Sequence, residues 1–156
     1  MDFEVVVIGA GAAGSSLALL LAKGGIEVCL IDKGSSESKE KIFEGRTAAL
    51  NLASENILDE LGVREGMKDF LTPFKNIYVW DSEGTSSLEF ASKEIGQPKL
   101  GDVVPNNAML ASIFSLLPHQ KNLKFLSGET LESLDPKEES ITVSTKEGKR
   151  ITCKLV

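Results

Sequence analysis

Three glycines stand close together near the start of the sequence, where residues 9–14 read GAGAAG. Glycines at this spacing act through the backbone: the first permits a tight turn, the second lets the chain approach a pyrophosphate, and the third lets a helix and a strand pack closely. Unpaired N–H groups and the positive end of a helix dipole would then face the phosphates. The run predicts a nucleotide site built from Gly9, Gly11, Ala12, Ala13 and Gly14.

An acidic residue, Asp32, closes the next apolar run of the sequence. A carboxylate at this position can accept hydrogen bonds from the ribose hydroxyls of an adenosine. It would repel the 2′-phosphate of NADP, although the neighbouring Lys33 partly offsets that repulsion. The glycines and Asp32 together do not distinguish FAD from NAD. The alternative interpretation is a glycine-rich turn with a solvated aspartate.

The elements that must position these residues form a strand, a helix and a second strand. Val5–Ile8 is wholly apolar and β-branched, which is typical of a strand covered on both faces. Three leucines then recur at helical spacing, and Gly24-Gly25 can end the helix. Residues 28–31 are again apolar. The pattern predicts a right-handed βαβ unit, and hence an α/β, Rossmann-like fold with a parallel sheet.

After the second strand, the sequence predicts a polar surface loop over residues 34–45 and then a helix that stops at Gly62. The apolar face of that helix would be formed by Leu50, Ala53, Ile57, Leu58 and Leu61. Residues 75–80 and 87–90 predict a hairpin, with Gly84 in its turn at a position that needs a positive φ.

A further helix is expected to begin at Asn106 or Asn107, either of which can cap it, and to end at Pro118. Short strands follow, over residues 123–126, 130–134, 140–144 and 151–156, with turns at Asp135-Pro136 and Glu147-Gly148. This second half of the chain is therefore expected to be rich in strands.

Composition excludes several classes of function. The 156 residues are 42% hydrophobic and 26% charged, which predicts one globular unit, and the net charge of −6 disfavours nucleic acid and anionic lipid. One histidine and two distant cysteines argue against a clustered zinc site (His119, Cys29 and Cys153).

The cysteines are interpreted as reduced thiols of a cytosolic protein, with a long-range disulfide as the alternative. Residues 5–22 carry no charge, but acidic residues precede them and glycines interrupt them, so we do not expect a signal peptide or membrane span.

Four further segments resemble one enzyme family. They are GRTAALN (residues 45–51) with ILDELG (57–62), IYVWD (77–81), LEF (88–90) and VVPNNAML (103–110). In this order they resemble the flavin-dependent aromatic hydroxylases of the p-hydroxybenzoate hydroxylase superfamily, and most of all its ubiquinone-biosynthesis hydroxylases. The resemblance runs from Val5 to about Val156.

The resemblance implies FAD as the cofactor, with Asp32 and Lys33 at the adenosine end, Arg46 approaching the FAD, and Asn106 at the start of a helix near the flavin. A cation at the start of a helix is disfavoured by roughly 0.3–1 kcal/mol, so a nearby anion would offset that cost at Arg46. The alternatives are an exposed pair of Arg46 with Glu44, and asparagines that only cap the helix. Residues 1–70 and 101–156 would belong to the FAD-binding domain, and 71–100 would be a hairpin of a β-rich substrate domain.

The function implied by the resemblance is hydroxylation of a polyprenyl phenol in ubiquinone biosynthesis, with O2 and with NAD(P)H as reductant. No residue is assigned as a catalytic acid or base. The family continues past this point with further flavin motifs, so we expect this chain to be an amino-terminal portion of such an enzyme. We expect the protein in the cytoplasm. Peripheral association with the inner membrane or with a ubiquinone-biosynthesis complex is left open. A NAD-dependent Rossmann dehydrogenase and a nucleotide-binding module without turnover are the alternatives.

Overall fold

The computed structural model describes residues 2–34 and 45–156 of the chain. The predicted loop over residues 34–45 and the partner proposed for Arg46, Glu44, therefore fall almost wholly outside the described residues. The helices are α1 Ala12–Lys23, α2 Leu52–Leu61, α3 Val63–Met67 and α4 Asn106–Leu116. The strands are β1 Val5–Ile8, β2 Val28–Asp32, β3 Thr47–Asn51, β4 Thr72–Phe74, β5 Asn76–Trp80, β6 Ser87–Ala91, β7 Gly101–Pro105, β8 Leu123–Ser127, β9 Leu131–Pro136, β10 Ile141–Thr145 and β11 Arg150–Cys153.

The predicted βαβ unit is confirmed. Strands β1, β2 and β8 form a parallel sheet in the order β1-β2-β8, with Val7 opposite Leu30 and Leu30 opposite Phe125. Helix α1 crosses between β1 and β2 and ends where Gly25 adopts a φ of 85°. Because β2 lies between two strands, its residues from Val28 to Ile31 are buried, as its apolar sequence requires.

The prediction that Leu50 lies in a helix is wrong. Residues Thr47–Asn51 form strand β3, which pairs with β7 in a second, antiparallel sheet of order β3-β7-β4. Helix α2 begins only at Leu52, because the Asn51 side chain caps it by accepting a hydrogen bond of 2.8 Å from the Ser54 N–H.

The predicted stop of this helix at Gly62 is confirmed, with a φ of 80°. The predicted apolar face is only half right, since Leu58 and Leu61 are buried whereas Ala53 and Ile57 are exposed.

Strands β5 and β6 form the predicted hairpin as a separate two-stranded sheet. The prediction of a positive φ at Gly84 is wrong, because Gly84 is not among the positive-φ glycines of the described chain. The turn is instead shaped by Asp81, whose Oδ1 accepts a hydrogen bond of 3.0 Å from the Glu83 N–H. An aspartate that bonds the backbone two residues ahead makes a turn without a left-handed residue.

The strand-rich second half is confirmed as a third sheet of order β11-β10-β9. The predicted turn at Asp135-Pro136 is wrong, because both residues lie in β9 opposite Thr142 and Ile141. The chain turns just after them, where the Lys137 N–H donates to the Ser140 carbonyl at 2.7 Å.

Two cores hold these layers together. The larger one packs α1, α2, α3 and α4 on one face of the parallel sheet. The smaller one joins the other face to the third sheet through Val6, Cys29, Ile31, Val143, Ile151 and Cys153. Both cysteines are free and buried, as predicted, and burial raises the pKa of Cys29 to about 11.

Within residues 2–34 and 45–156, no helix has the length and apolarity needed to cross a membrane. The same residues contain no group of three histidine, cysteine, aspartate or glutamate side chains that could hold a metal ion.

Candidate functional site

The glycine turn after β1 has the geometry that its sequence predicts. Gly9 adopts a φ of 101°, and its N–H donates to the Ile31 carbonyl at 2.7 Å. A Cβ placed on Gly14 would lie 2.0 Å from the Gly9 carbonyl oxygen, so only glycine lets α1 approach the turn this closely. The first and third glycines therefore fix how the helix follows the strand.

The amino end of α1 suits an anion. Within the described residues, no side chain caps this helix and its first turn carries no acidic residue. Its first helical hydrogen bond runs from the Ser15 N–H to the Gly11 carbonyl, at 2.9 Å. A Cβ on Gly11 would meet no described atom within 4 Å, which means that this side of the turn is open. The N–H groups of the first turn and the helix dipole thus face space that a phosphate group could fill.

Asp32 ties this turn to the end of β2. Its Oδ2 accepts a hydrogen bond from the Ala10 N–H and its Oδ1 accepts one from the Gly34 N–H, each at 2.7 Å. The sequence predicts only a ribose contact for this carboxylate. Since each carboxylate oxygen offers two lone pairs, Asp32 can support the turn and still accept a ligand hydroxyl.

A cleft of about 240 Å³ opens beside Asp32 at the carboxyl ends of β1 and β2. It is lined by Ile8, Gly9, Ile31, Asp32, Lys33, Glu129, Thr130 and Leu131. Open α/β sheets bind ligands at this edge. The sequence alone did not select residues 129–131, because they carry no motif. Their position follows from the pairing of β8 with β2, which places the end of β8 next to Asp32.

Glu129 is a second acidic residue that lines this cleft. Its N–H donates to the Asp32 carbonyl at 3.0 Å, and its side chain accepts a hydrogen bond of 2.7 Å from the Thr145 hydroxyl and pairs with the Lys149 ammonium. The hydrogen bond from Lys149, followed by that from Thr145, lowers the pKa of Glu129 below its ordinary value. Glu129 is therefore ionised at neutral pH, and the paired Lys149 ammonium balances its charge.

Arg46 lies next to β3 and not at the start of a helix, so the expected cost from a helix dipole does not apply to it. Its side chain is exposed. Its carbonyl accepts a hydrogen bond of 3.0 Å from the Asn106 N–H, which continues the pairing of Thr47 with Pro105. The structure thus brings together the two residues that the resemblance places near the flavin.

Asn106 does not cap α4, so that prediction is wrong, and neither does Asn107. Pro105 holds the cap position, Asn106 and Asn107 are the first two helical residues, and no described side chain caps the helix. The Asn106 Oδ1 atom is buried without a hydrogen-bond partner in the described chain. Buried side-chain oxygens usually have a donor, so this atom fits a ligand that can supply one.

The predicted site residues form two groups. Gly9, Gly11, Ala12, Ala13 and Gly14 lie with Asp32 and Lys33 at the edge of the parallel sheet, whereas Arg46 and Asn106 meet at the end of the β3-β7 pair. Helix α4, which begins at Asn106, packs against α1 and connects the two groups.

Residues 2–153 match the family described as the FAD binding domain. The chain belongs to this family. The residues fit the cofactor in three respects: an uncapped helix end follows the glycine turn, the Asp32 carboxylate stands beside that turn at the end of β2, and the Asn106 amide oxygen lacks a donor within the described residues.

Individual proteins similar to this chain are named as hydroxylases or flavin-dependent monooxygenases. Over 98% of its length the chain is 25% identical to a ubiquinone hydroxylase, UbiL, of Rhodospirillum rubrum, of which it spans 36%. Over 98% of its length it is 26% identical to the 3-demethoxyubiquinol 3-hydroxylase of Escherichia coli, of which it spans 40%. The fold is shared with the flavin-dependent monooxygenase PieE, solved with FAD and substrate, at a TM-score of 0.74 and 17% identity over 99% of this chain and 29% of that one.

Proposed function

We propose that the chain is the FAD-binding part of a flavin-dependent monooxygenase that hydroxylates a polyprenyl phenol in ubiquinone biosynthesis. The observation that carries the proposal is the glycine turn with its uncapped helix, anchored by Asp32, within a chain of the FAD binding domain family. The names of the two relatives support the substrate class.

In this proposal the residues of the first group hold the adenosine diphosphate half of FAD. The N–H groups of Gly11, Ala12, Ala13 and Gly14 bind the pyrophosphate, and Asp32 and Lys33 bind at the ribose. Glu129, which lines the same cleft, is neutralised by Lys149, so the charge that favours a ribose without a 2′-phosphate comes from Asp32.

The second group, Arg46 and Asn106, is assigned to the flavin half. The exposed guanidinium of Arg46 can donate to an anionic or carbonyl group, and Asn106 Oδ1 can accept from an N–H. When bound, FAD supplies the redox chemistry with O2, and NAD(P)H is the proposed reductant. This chain's residues bind the cofactor and orient it.

We assign residues 1–70 and 101–156 to the FAD-binding domain and 71–100 to a hairpin of the substrate domain. The hairpin's strand register supports this division, because it places four exposed apolar residues on one face: Ile77, Val79, Leu88 and Phe90. Exposed apolar faces of this kind mark interaction surfaces. We expect the substrate domain and its apolar substrate to cover this one.

A nucleotide-binding module without turnover is the second candidate. It rests on the glycine turn and Asp32 alone, which would hold a nucleotide whether or not a reaction follows. The chain spans 36% and 40% of the lengths of the two relatives. For the longer enzyme we propose a location in the cytoplasm next to the inner membrane, alone or in a ubiquinone-biosynthesis complex, because a polyprenyl substrate partitions into lipid.

Separate calorimetric titrations with FAD and with NADH test the proposal. We expect FAD to bind and to give a yellow protein after removal of the excess, whereas NADH alone gives no comparable heat. A folded protein that retains no flavin after incubation with FAD would refute the proposal. Oxygen-dependent NAD(P)H consumption would separate the monooxygenase from the module without turnover.

A further inference from the structure

A buried network of charges lies between the second sheet and the helices that cover it. The Lys99 ammonium contacts Glu55 of α2 at 2.6 Å and Asp102 of β7 at 2.5 Å. Arg64 of α3 contacts the same Asp102 oxygen at 3.3 Å. The Glu55 and Asp102 side chains are only 7% and 3% exposed, and that of Lys99 is 18% exposed.

Stability alone is a poor explanation for this network. Burial of ions carries a desolvation penalty, and replacing a buried ionic cluster by apolar side chains of similar size is often neutral or stabilising. Not every polar atom of the network forms a hydrogen bond, because Glu55 Oε1 and Arg64 Nε are buried without a hydrogen-bond partner in the described residues. Burial by itself would raise the pKa of Asp102, but the hydrogen bonds from Lys99 and Arg64 lower it, so Asp102 stays charged at neutral pH.

The sheet that carries Asp102 has little apolar patterning to set its register. Of the residues of β3 only Leu50 is buried, none of the residues of β4 is, and the one buried apolar side chain of β7 is Val104. Register is specified strongly where one face of a strand is apolar and buried, and weakly where it is not. Strand β7 therefore has few buried apolar side chains to align it between β3 and β4, and a further source of alignment would strengthen its register.

Asp102 is placed to supply that alignment. It lies opposite Leu50 of β3 and opposite Pro73 of β4. A slip by one residue turns every side chain of a strand to the other face, which would move the Asp102 carboxylate away from Arg64 of α3 and leave buried charges unpaired.

We infer that Glu55, Arg64, Lys99 and Asp102 form a register lock for strand β7. The same register of β7 against β3 lets the Asn106 N–H donate to the Arg46 carbonyl at the other end of this strand pair. These four are positioning residues, and their importance for flavin binding rests on the proposed function.

Amide hydrogen exchange measured by NMR tests this inference without FAD. The main variant combines Glu55→Met, Lys99→Met and Asp102→Val, which removes the three most buried charges together. Arg64, whose side chain is 35% exposed, keeps its ion pair with Asp59 at 3.7 Å. Lys99→Arg keeps the charges. The matched control is Lys154→Met, which deletes a lysine from an exposed pair with Glu4.

In the triple variant we expect the Asn106 amide to exchange about tenfold faster, while the Leu30 amide in the parallel sheet and the melting temperature change little. In Lys99→Arg and Lys154→Met the Asn106 amide should exchange as in the wild type.

An unchanged exchange rate of the Asn106 amide in the triple variant would overturn the inference. So would a failure to fold, or equal acceleration at Leu30 with a lower melting temperature, because either would show a general structural role. Absence of FAD binding by the wild type would refute the proposed function, and the exchange result would still decide on the lock.

Discussion

The Asp32 carboxylate accepts a hydrogen bond of 2.7 Å from the Ala10 N–H and so joins the end of β2 to the glycine turn after β1. A second bond of the same length comes from Gly34. Asp32 therefore holds the turn in place as well as facing the cleft. A residue assigned to ligand binding from its type alone also positions the backbone that binds the ligand.

Asp32→Ala should weaken FAD binding by about tenfold to a hundredfold, since hydrogen bonds to a charged group contribute roughly 1.5–3 kcal/mol. Asp32→Asn keeps one acceptor and should lose less. Isothermal titration calorimetry measures both, with exposed Asp135→Ala as the control. Equal FAD affinity in Asp32→Ala and the wild type would contradict the role of Asp32.

The part of the site that local sequence could predict is the part built from adjacent segments. The turn, α1 and β2 follow from Gly9, Gly14 and two apolar runs. The environment of Arg46 could not be predicted, because the spacing of apolar residues after it suits a helix, whereas pairing with the distant β7 makes residues 47–51 a strand. Glu129 was missed for the same reason: only the order of strands brings it to Asp32.

Two alanine substitutions in the glycine turn should separate folding from binding. Gly14→Ala puts a methyl group against the Gly9 carbonyl and should reduce the free energy of unfolding by about 1–3 kcal/mol. Gly11→Ala meets no described atom within 4 Å and should change that free energy by less than about 0.5 kcal/mol.

The same Gly11→Ala variant should bind FAD at least about tenfold more weakly, because its methyl group occupies the space that the pyrophosphate needs. Urea unfolding and FAD titration of both variants provide the comparison. If Gly11→Ala bound FAD like the wild type, the open side of the turn would not be the phosphate site.

Arg46→Ala should weaken FAD binding by about tenfold and leave the free energy of unfolding unchanged within about 0.5 kcal/mol, because the side chain is exposed. Arg150→Ala, which removes an exposed arginine of β11, is the matched control for the change in net charge. Unchanged FAD affinity by calorimetry would remove Arg46 from the proposed site.

Acid should destabilise the chain partly through Glu129. Its folded-state pKa lies below the ordinary value of 4.5, because Lys149 and Thr145 donate to its ionised form. The resulting stabilisation is complete above that ordinary value and is lost as the pH falls through the lowered pKa. Glu129→Gln should therefore show a smaller loss of unfolding free energy than the wild type when the pH is lowered from about 5 to about 3.

Urea unfolding at several pH values measures this difference, and exposed Glu132→Gln serves as the control. Parallel pH profiles for the wild type and Glu129→Gln would show that the pairing of Glu129 with Lys149 and Thr145 contributes nothing to acid sensitivity.

The most direct test of the FAD site is a two-dimensional amide NMR spectrum recorded as FAD is added to the chain. If the amino end of α1 binds the pyrophosphate, the amide signals of Ala12, Ala13 and Gly14 will shift first and furthest, and those of β9 to β11 away from the cleft will stay in place. Binding of FAD that leaves these three amides unmoved, or no binding at all, would contradict the account.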